Sequence, residues 1–153
     1  FGMRVLSWSR SGRQMAGVEN VSLEALLLRC DFVSVHVALT EDTRNLIDAE
    51  RIAMMKPGAV LVNTARGGIV DEVALAEALG SGQIYAAGID VFEQEPVAMD
   101  NPLLQHSRVV VAPHIGSATV LTRARMADLA VANALSSLQG QSMPQCVNPE
   151  VYR

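Results

Sequence analysis

Very little aromatic bulk is available to this chain, which has one tryptophan, two tyrosines and three phenylalanines in 153 residues. Its core must therefore be aliphatic, built from Val, Ile, Leu and Ala, with methionine as adaptable filler. Positive charge is scarce as well. Twelve basic residues stand against sixteen acidic ones, a formal net charge of -4, which leaves no basic surface for nucleic acid or an anionic membrane. No apolar stretch approaches the ~20 residues of a spanning helix. Cys30 and Cys146 make no metal-ligand spacing, so no metal site is expected, and two lone thiols fit a reducing cytosol. A signal peptide and an initiator methionine at position 1 are also missing. The chain opens Phe1-Gly2-Met3-Arg4-Val5-Leu6, already inside an apolar run, which reads as truncation at the amino end.

What is present is a globular α/β composition: half the residues are apolar and 18% are charged, enough for one domain with a real core. Strand-like and helix-like stretches alternate with short connections, the pattern of a doubly wound parallel sheet. The expected strands are Arg4–Trp8, Phe32–Val37, Ala59–Asn63, Ile84–Val91 and Val109–Ala112. Between them, Ser9–Asn20 reads as a polar loop, and Ser22, Asp48 and Asp71 stand where helix caps belong. A long helix over Ser117–Leu138 carries apolar residues at helical spacing, which read as a packing stripe. An extended tail follows. The division expected is 1–117 for a sheet domain, 118–138 for the helix and 139–153 for the tail.

Three motifs each end an apolar run. Asn63-Thr64-Ala65-Arg66-Gly67-Gly68-Ile69 follows Ala59-Val60-Leu61-Val62 and places a buried-leaning Arg66 on a glycine-rich turn. An open α/β sheet presents ligand-binding side chains at such a position, and the planar fork of arginine matches a carboxylate. The others are Asp90-Val91-Phe92-Glu93-Gln94-Glu95-Pro96 and Pro113-His114-Ile115-Gly116-Ser117-Ala118-Thr119. Taken together they resemble the D-isomer-specific 2-hydroxyacid dehydrogenases of the glyoxylate/hydroxypyruvate reductase type, over essentially the whole chain. The resemblance implies a Rossmann-type sheet truncated at its N-terminal β-α unit, the glycine-rich phosphate turn and the substrate domain lying upstream of Phe1.

It also implies roles. Arg66 would hold the substrate carboxylate, His114 would exchange the proton with the substrate oxygen, and Glu95, rather than the nearby Glu93, would tune His114. Asp90 would receive the nicotinamide carboxamide. Thr64 and Ala65 would run along the nicotinamide ribose, Val37, Ala38 and Thr43 beneath the adenosine half, and Gly116 would let backbone approach the ring. His36 and His106 read as core or surface residues. At the end of the first strand, NAD-preferring folds place an acid. Here Trp8-Ser9-Arg10-Ser11-Gly12-Arg13 has none, and Ser9 and Arg10 suit a 2′-phosphate, favouring NADP over NAD. The implied partners are a small 2-oxo or 2-hydroxy acid and, at full length, a second copy in a cytoplasmic homodimer. By itself the 153-residue chain should turn over little, its open sheet edge should be sticky, and residues 143–153 should be unanchored. Two alternatives stay open: an NAD(H)-sensing, corepressor-like binding protein, and a non-functional gene fragment.

Overall fold

In the computed structural model, which describes residues 2–152, the first strand shrinks to Leu6–Ser7 (β1), shorter than the Arg4–Trp8 expected. It pairs in parallel with Glu19–Asn20 (β2), a strand inside the stretch that reads as a polar loop. Two residues carry no periodicity, so the pair leaves no mark in the sequence.

The caps explain where the helices start. The Ser22 side chain accepts the N–H of Ala25 to open α1 (Leu23–Arg29). After Phe32–Val35 (β3), Asp48 opens α2 (Ala49–Met54) in the same way through the N–H of Arg51. Ala59–Asn63 (β4) matches its expected bounds, and Asp71 accepts the N–H of Ala74 to open α3 (Glu72–Ser81). Gly82 ends α3 at φ 82°, a left-handed geometry that costs glycine nothing. Ile84–Ile89 (β5) and Val109–Val111 (β6) follow, each shorter at its carboxyl end than expected.

Strands β3, β4, β5 and β6 pair in parallel in that order, as one four-stranded sheet. Register places Val33 beside Leu61 and Leu61 beside Ala87. These residues, with Val35 and Ile89, are buried in one cluster with Leu27, Ile52, Leu75 and Leu79 from the helices. The alternate residues are less covered; Phe32 and Val110 are exposed. The core is aliphatic, but methionine fills it mainly at Met55. Met3, Met15, Met99 and Met126 are exposed, because they sit in loops or on the terminal helix. A cavity of about 760 Å³ bounded by Val5, Leu6, Phe32 and Ser34 separates the β1–β2 pair from β3. Among the described residues β3 is therefore an edge strand.

The chain divides into two compact units, Phe1–His114 and Ile115–Arg153. In the second, Thr119 caps α4 (Val120–Leu138). No residue of α4 is buried, so its apolar stripe is not the packed surface expected: Leu121, Leu129 and Leu135 are all exposed. The tail is not a free extended strand either. Asn133 both accepts the N–H of Gln145 (3.0 Å) and donates to its carbonyl (3.4 Å), and the Met143 N–H donates to the Tyr152 hydroxyl (3.2 Å). One amide offers a donor and an acceptor together, which suffices to hold a backbone residue. Pro149–Tyr152 closes as a 3₁₀ turn; Arg153 lies outside the described residues. No helix among them is long and apolar enough to cross a membrane.

Candidate active site

Three strands end at one edge of the sheet, and backbone hydrogen bonds lace their ends together. The Asp90 N–H donates to the Asn63 carbonyl (3.0 Å), and the His114 N–H donates to the Asp90 carbonyl (2.8 Å). Arg66, Asp90 and His114 are thereby gathered at the carboxyl edge, where open parallel sheets take their ligands.

The turn carrying Arg66 is shaped by Asn63, which is buried. Its Oδ1 accepts the N–H of Ala65 (3.1 Å) and its Nδ2 donates to the carbonyl of Arg66 (3.0 Å), so the side chain stands in for a backbone turn. Arg66 itself is exposed rather than buried-leaning, and its guanidinium donates to the carbonyl of Ala65 at 2.6 Å. The turn aims it away from the core. Gly67 explains the tightness that follows: a Cβ there would collide with the Phe92 carbonyl oxygen.

His114 adopts φ 54°, the left-handed region, at a cost for a non-glycine residue of roughly 1–2 kcal/mol. Two bonds hold it there: its N–H to Asp90, and its Nδ1 to Glu95 Oε2 at 2.8 Å. The other oxygen of Glu95 accepts the N–H of Phe92 at 3.1 Å. The hydrogen bond to His114 holds the Glu95 carboxyl below its ordinary range, the Phe92 N–H adds to this, and the charges of His114 and Arg66 act in the same direction. Glu93 turns elsewhere, pairing with Arg44 at 3.3 Å. The Glu95–Pro96 bond is cis.

Two cavities flank this edge. One, of about 630 Å³, is lined by His36, Val37, Ala38, Leu39, Thr64, Ala65 and Arg66, and so unites Val37, Ala38, Thr64 and Ala65, four of the residues expected to touch a cofactor. The other, of about 530 Å³, has Glu95 and His114 in its wall with Phe92 and Val97. Thr43 does not face either. It is buried, donating to the Ala38 carbonyl (2.6 Å) and accepting the Thr40 N–H (2.7 Å), and it shapes the loop instead. The Asp90 residue is buried at the end of β5. Ser9 lines a separate cavity that shares His36 and Val37 with the first, and its hydroxyl accepts the Arg13 N–H (3.0 Å). Arg10 pairs with Asp42 at 3.0 Å. Gly116 belongs to the second unit. The sequence does not single out Asn63, Asp42 or Glu72: Asn63 only opens a motif, Asp42 lies in a polar loop, and Glu72 looks like an ordinary acid at a helix start.

Residues 1–116 match the family model described as D-isomer specific 2-hydroxyacid dehydrogenase, NAD binding domain. The chain is 48% identical to a glyoxylate reductase of Korarchaeum cryptofilum, over 100% of this chain and 47% of that protein. It is 47% identical to a glyoxylate/hydroxypyruvate reductase B of Yersinia pestis, over 99% and 48%. A solved structure from Thermus thermophilus superposes with a TM-score of 0.91 at 45% identity, covering 95% of this chain and 46% of that one. The D-isomer specific 2-hydroxyacid dehydrogenase of Xanthobacter autotrophicus Py2, in complex with NADPH and MES, gives 0.81 at 36% identity over 99% and 64%. The chain spans about half the length of the curated relatives it matches.

Proposed function

We propose that this chain, which belongs to the D-isomer specific 2-hydroxyacid dehydrogenase family through its NAD binding domain, serves an oxidoreductase acting on a small 2-oxo acid, with glyoxylate and hydroxypyruvate favoured. The observation that carries the reading is the 2.8 Å Glu95–His114 pair, set on the same sheet edge as Arg66. The names of the Korarchaeum and Yersinia relatives support the substrate class.

The cleft suits a nicotinamide cofactor. Small side chains at Ala38 and Ala65 leave backbone open to a flat ring system, and a carboxylate stands at Asp90, able to accept from a carboxamide. Val37, Ala38, Thr64, Ala65 and Asp90 would hold it, with Thr43 supporting their loop. When bound, the cofactor supplies the hydride that reduces C2 of the oxo acid. Arg66 then grips the substrate carboxylate and orients the carbonyl. His114 gives a proton from Nε2 to the developing alkoxide. Glu95, on Nδ1, fixes the tautomer and the orientation of the ring, which leaves Nε2 to serve the substrate oxygen. In the reverse direction His114 takes the proton back.

NADP is favoured over NAD. Ser9, Arg10 and Arg13 form a basic loop at the end of β1, and the Asp42 that faces Arg10 does so in a pair whose side chains are 68% and 76% exposed. Such a pair is worth little, and a 2′-phosphate of higher charge would displace it. The NADPH complex of the Xanthobacter relative supports this choice. A homodimer at full length is supported by the exposed apolar stripe on α4, and a cytoplasmic location by the free thiols of Cys30 and Cys146.

The test is NADPH and NADH oxidation by the complete protein with glyoxylate and with hydroxypyruvate. Turnover is expected with both acids, faster with NADPH, and the 153-residue chain alone should show little. Absence of turnover by the complete protein with either cofactor would sink the reading.

A further inference from the structure

One carboxylate that the proposed reaction does not use ties the strand-end loops to each other. Glu72 is the first residue of α3. Its Oε1 accepts the N–H of Glu93 at 2.6 Å, and its Oε2 accepts the Nδ2 of Asn101 at 2.6 Å. Glu93 is the neighbour of Phe92, whose N–H holds Glu95 at 3.1 Å. Asn101 in turn caps the 3₁₀ turn Pro102–Gln105 through the N–H of Leu103. Both oxygens of Glu72 are thus committed to the two ends of the segment that carries Glu95.

The start of α3 is itself tied to the Arg66 turn. Ile69 and Val70, between them, are buried, and Val70 bridges to Ile47. Gly67 touches the same Glu95 loop from its other side, at the Phe92 carbonyl. The charged groups nearby have other duties: Arg44 pairs with Glu93, and Asp71 caps α3, while Arg66 and His114 act on Glu95 itself.

We propose that Glu72 is a positioning residue, which fixes the Glu95 loop relative to Arg66 and so keeps the Glu95 carboxylate on Nδ1 of His114. Bonds from N–H donors to an ionised carboxylate are among the stronger ones, and the two here span loops that share no secondary structure. The inference rests on the reductase reading for its kinetic consequence but not for its geometric one. If Glu72 is removed, two donors lose their acceptor, the loop shifts, and Glu95 leaves His114. A displacement near 1 Å at a reacting group costs on the order of 10²-fold in rate.

Glu72→Ala and Glu72→Gln in the complete protein decide it. Alanine removes both acceptors. Glutamine is isosteric and keeps one, so it preserves the fold if alanine does not. The kcat with glyoxylate should fall by about tenfold to a hundredfold in Glu72→Ala and less in Glu72→Gln, with the KM for glyoxylate little changed. In parallel, the Glu95 carboxyl, followed by NMR in labelled protein, should titrate closer to the ordinary glutamate value in both variants, further in alanine. A folded variant with unchanged kcat and unchanged Glu95 titration overturns the proposal. So does a loss of activity that tracks a lower melting temperature while Glu95 titrates as in the wild type. If the wild-type protein reduces no 2-oxo acid, the functional reading falls, and the Glu95 titration alone still decides the role of Glu72.

Discussion

The carboxyl edge of β4–β6 and the corner formed by β1 and β2 are built on opposite plans. At the edge, loops from three strands lean on one another: Asn63 on Asp90, Asp90 on His114, Gly67 on Phe92, Glu72 on Glu93 and Asn101. At the corner, two strands of two residues each stand apart from the main sheet, and exposed ion pairs hold their surroundings, Glu19 with Arg29 and Arg10 with Asp42. The chemistry proposed for the edge would need groups fixed to a fraction of an ångström. The phosphate recognition proposed for the corner would ask only for charge of the right sign, which a solvated side chain can supply. The contrast teaches where precision is concentrated in this fold, and substitutions should respond accordingly.

The largest effects belong to the edge. His114→Ala in the complete protein should lower kcat by about 10²–10⁴-fold, and Arg66→Ala should lower kcat/KM by on the order of 10²-fold. Steady-state rates with glyoxylate check both, and near-normal rates in either variant would remove that residue from the mechanism. Next comes the fit between loops. Gly67→Ala forces a methyl group onto the Phe92 carbonyl and should cost about 1–3 kcal/mol of stability, read by denaturant unfolding; a neutral result would mean the two loops can part freely.

The corner should behave differently. Arg10→Ala should weaken NADPH by about tenfold, equivalent to the loss of one hydrogen bond to a charged group of roughly 1.5 kcal/mol, leave NADH unaffected, and change stability by less than about 0.5 kcal/mol. Equal loss for both cofactors would show that Arg10 does not distinguish them. The smallest effect concerns acid. The Glu95 carboxyl is held below its ordinary range by His114, so its contribution to stability is present above the ordinary carboxylate value and is lost as pH falls through the depressed one. Because the pair is partly exposed, the loss is modest. Melting temperatures of Glu95→Gln should show a shallower acid limb than the wild type, and superimposable limbs would argue against the pairing in solution.

Much of this is legible in the chain. The bounds of β4 and the caps Ser22, Asp48 and Asp71 are readable, because a cap is a bond between a side chain and a backbone N–H two or three residues away. So are the motifs that end β4, β5 and β6, whose order carries the family resemblance. Less is legible wherever a residue's duty depends on distant partners. Arg66 looks buried-leaning beside its apolar strand, yet the turn directs it outward. Thr43 is expected in the cofactor loop, and only the structure shows that its hydroxyl also closes that loop on the Ala38 carbonyl. The apolar spacing of α4 promises a packed face and meets exposure instead, since periodicity reports which side of a helix is apolar, not whether anything lies against it.

The sequence by itself determined the α/β class, the aliphatic character of the core and the identity of the residues at the strand ends, all through patterns that repeat or bond within a few positions. Only the tertiary structure decided that Glu95 meets His114 through Nδ1 while Glu93 turns to Arg44, that Asp42 answers Arg10, and that Glu72 holds two loops at once. Those pairings join residues whose separation along the chain carries no periodicity and no cap. Their partners are chosen by where the sheet places its strand ends, and that placement exists only once the strands have come together.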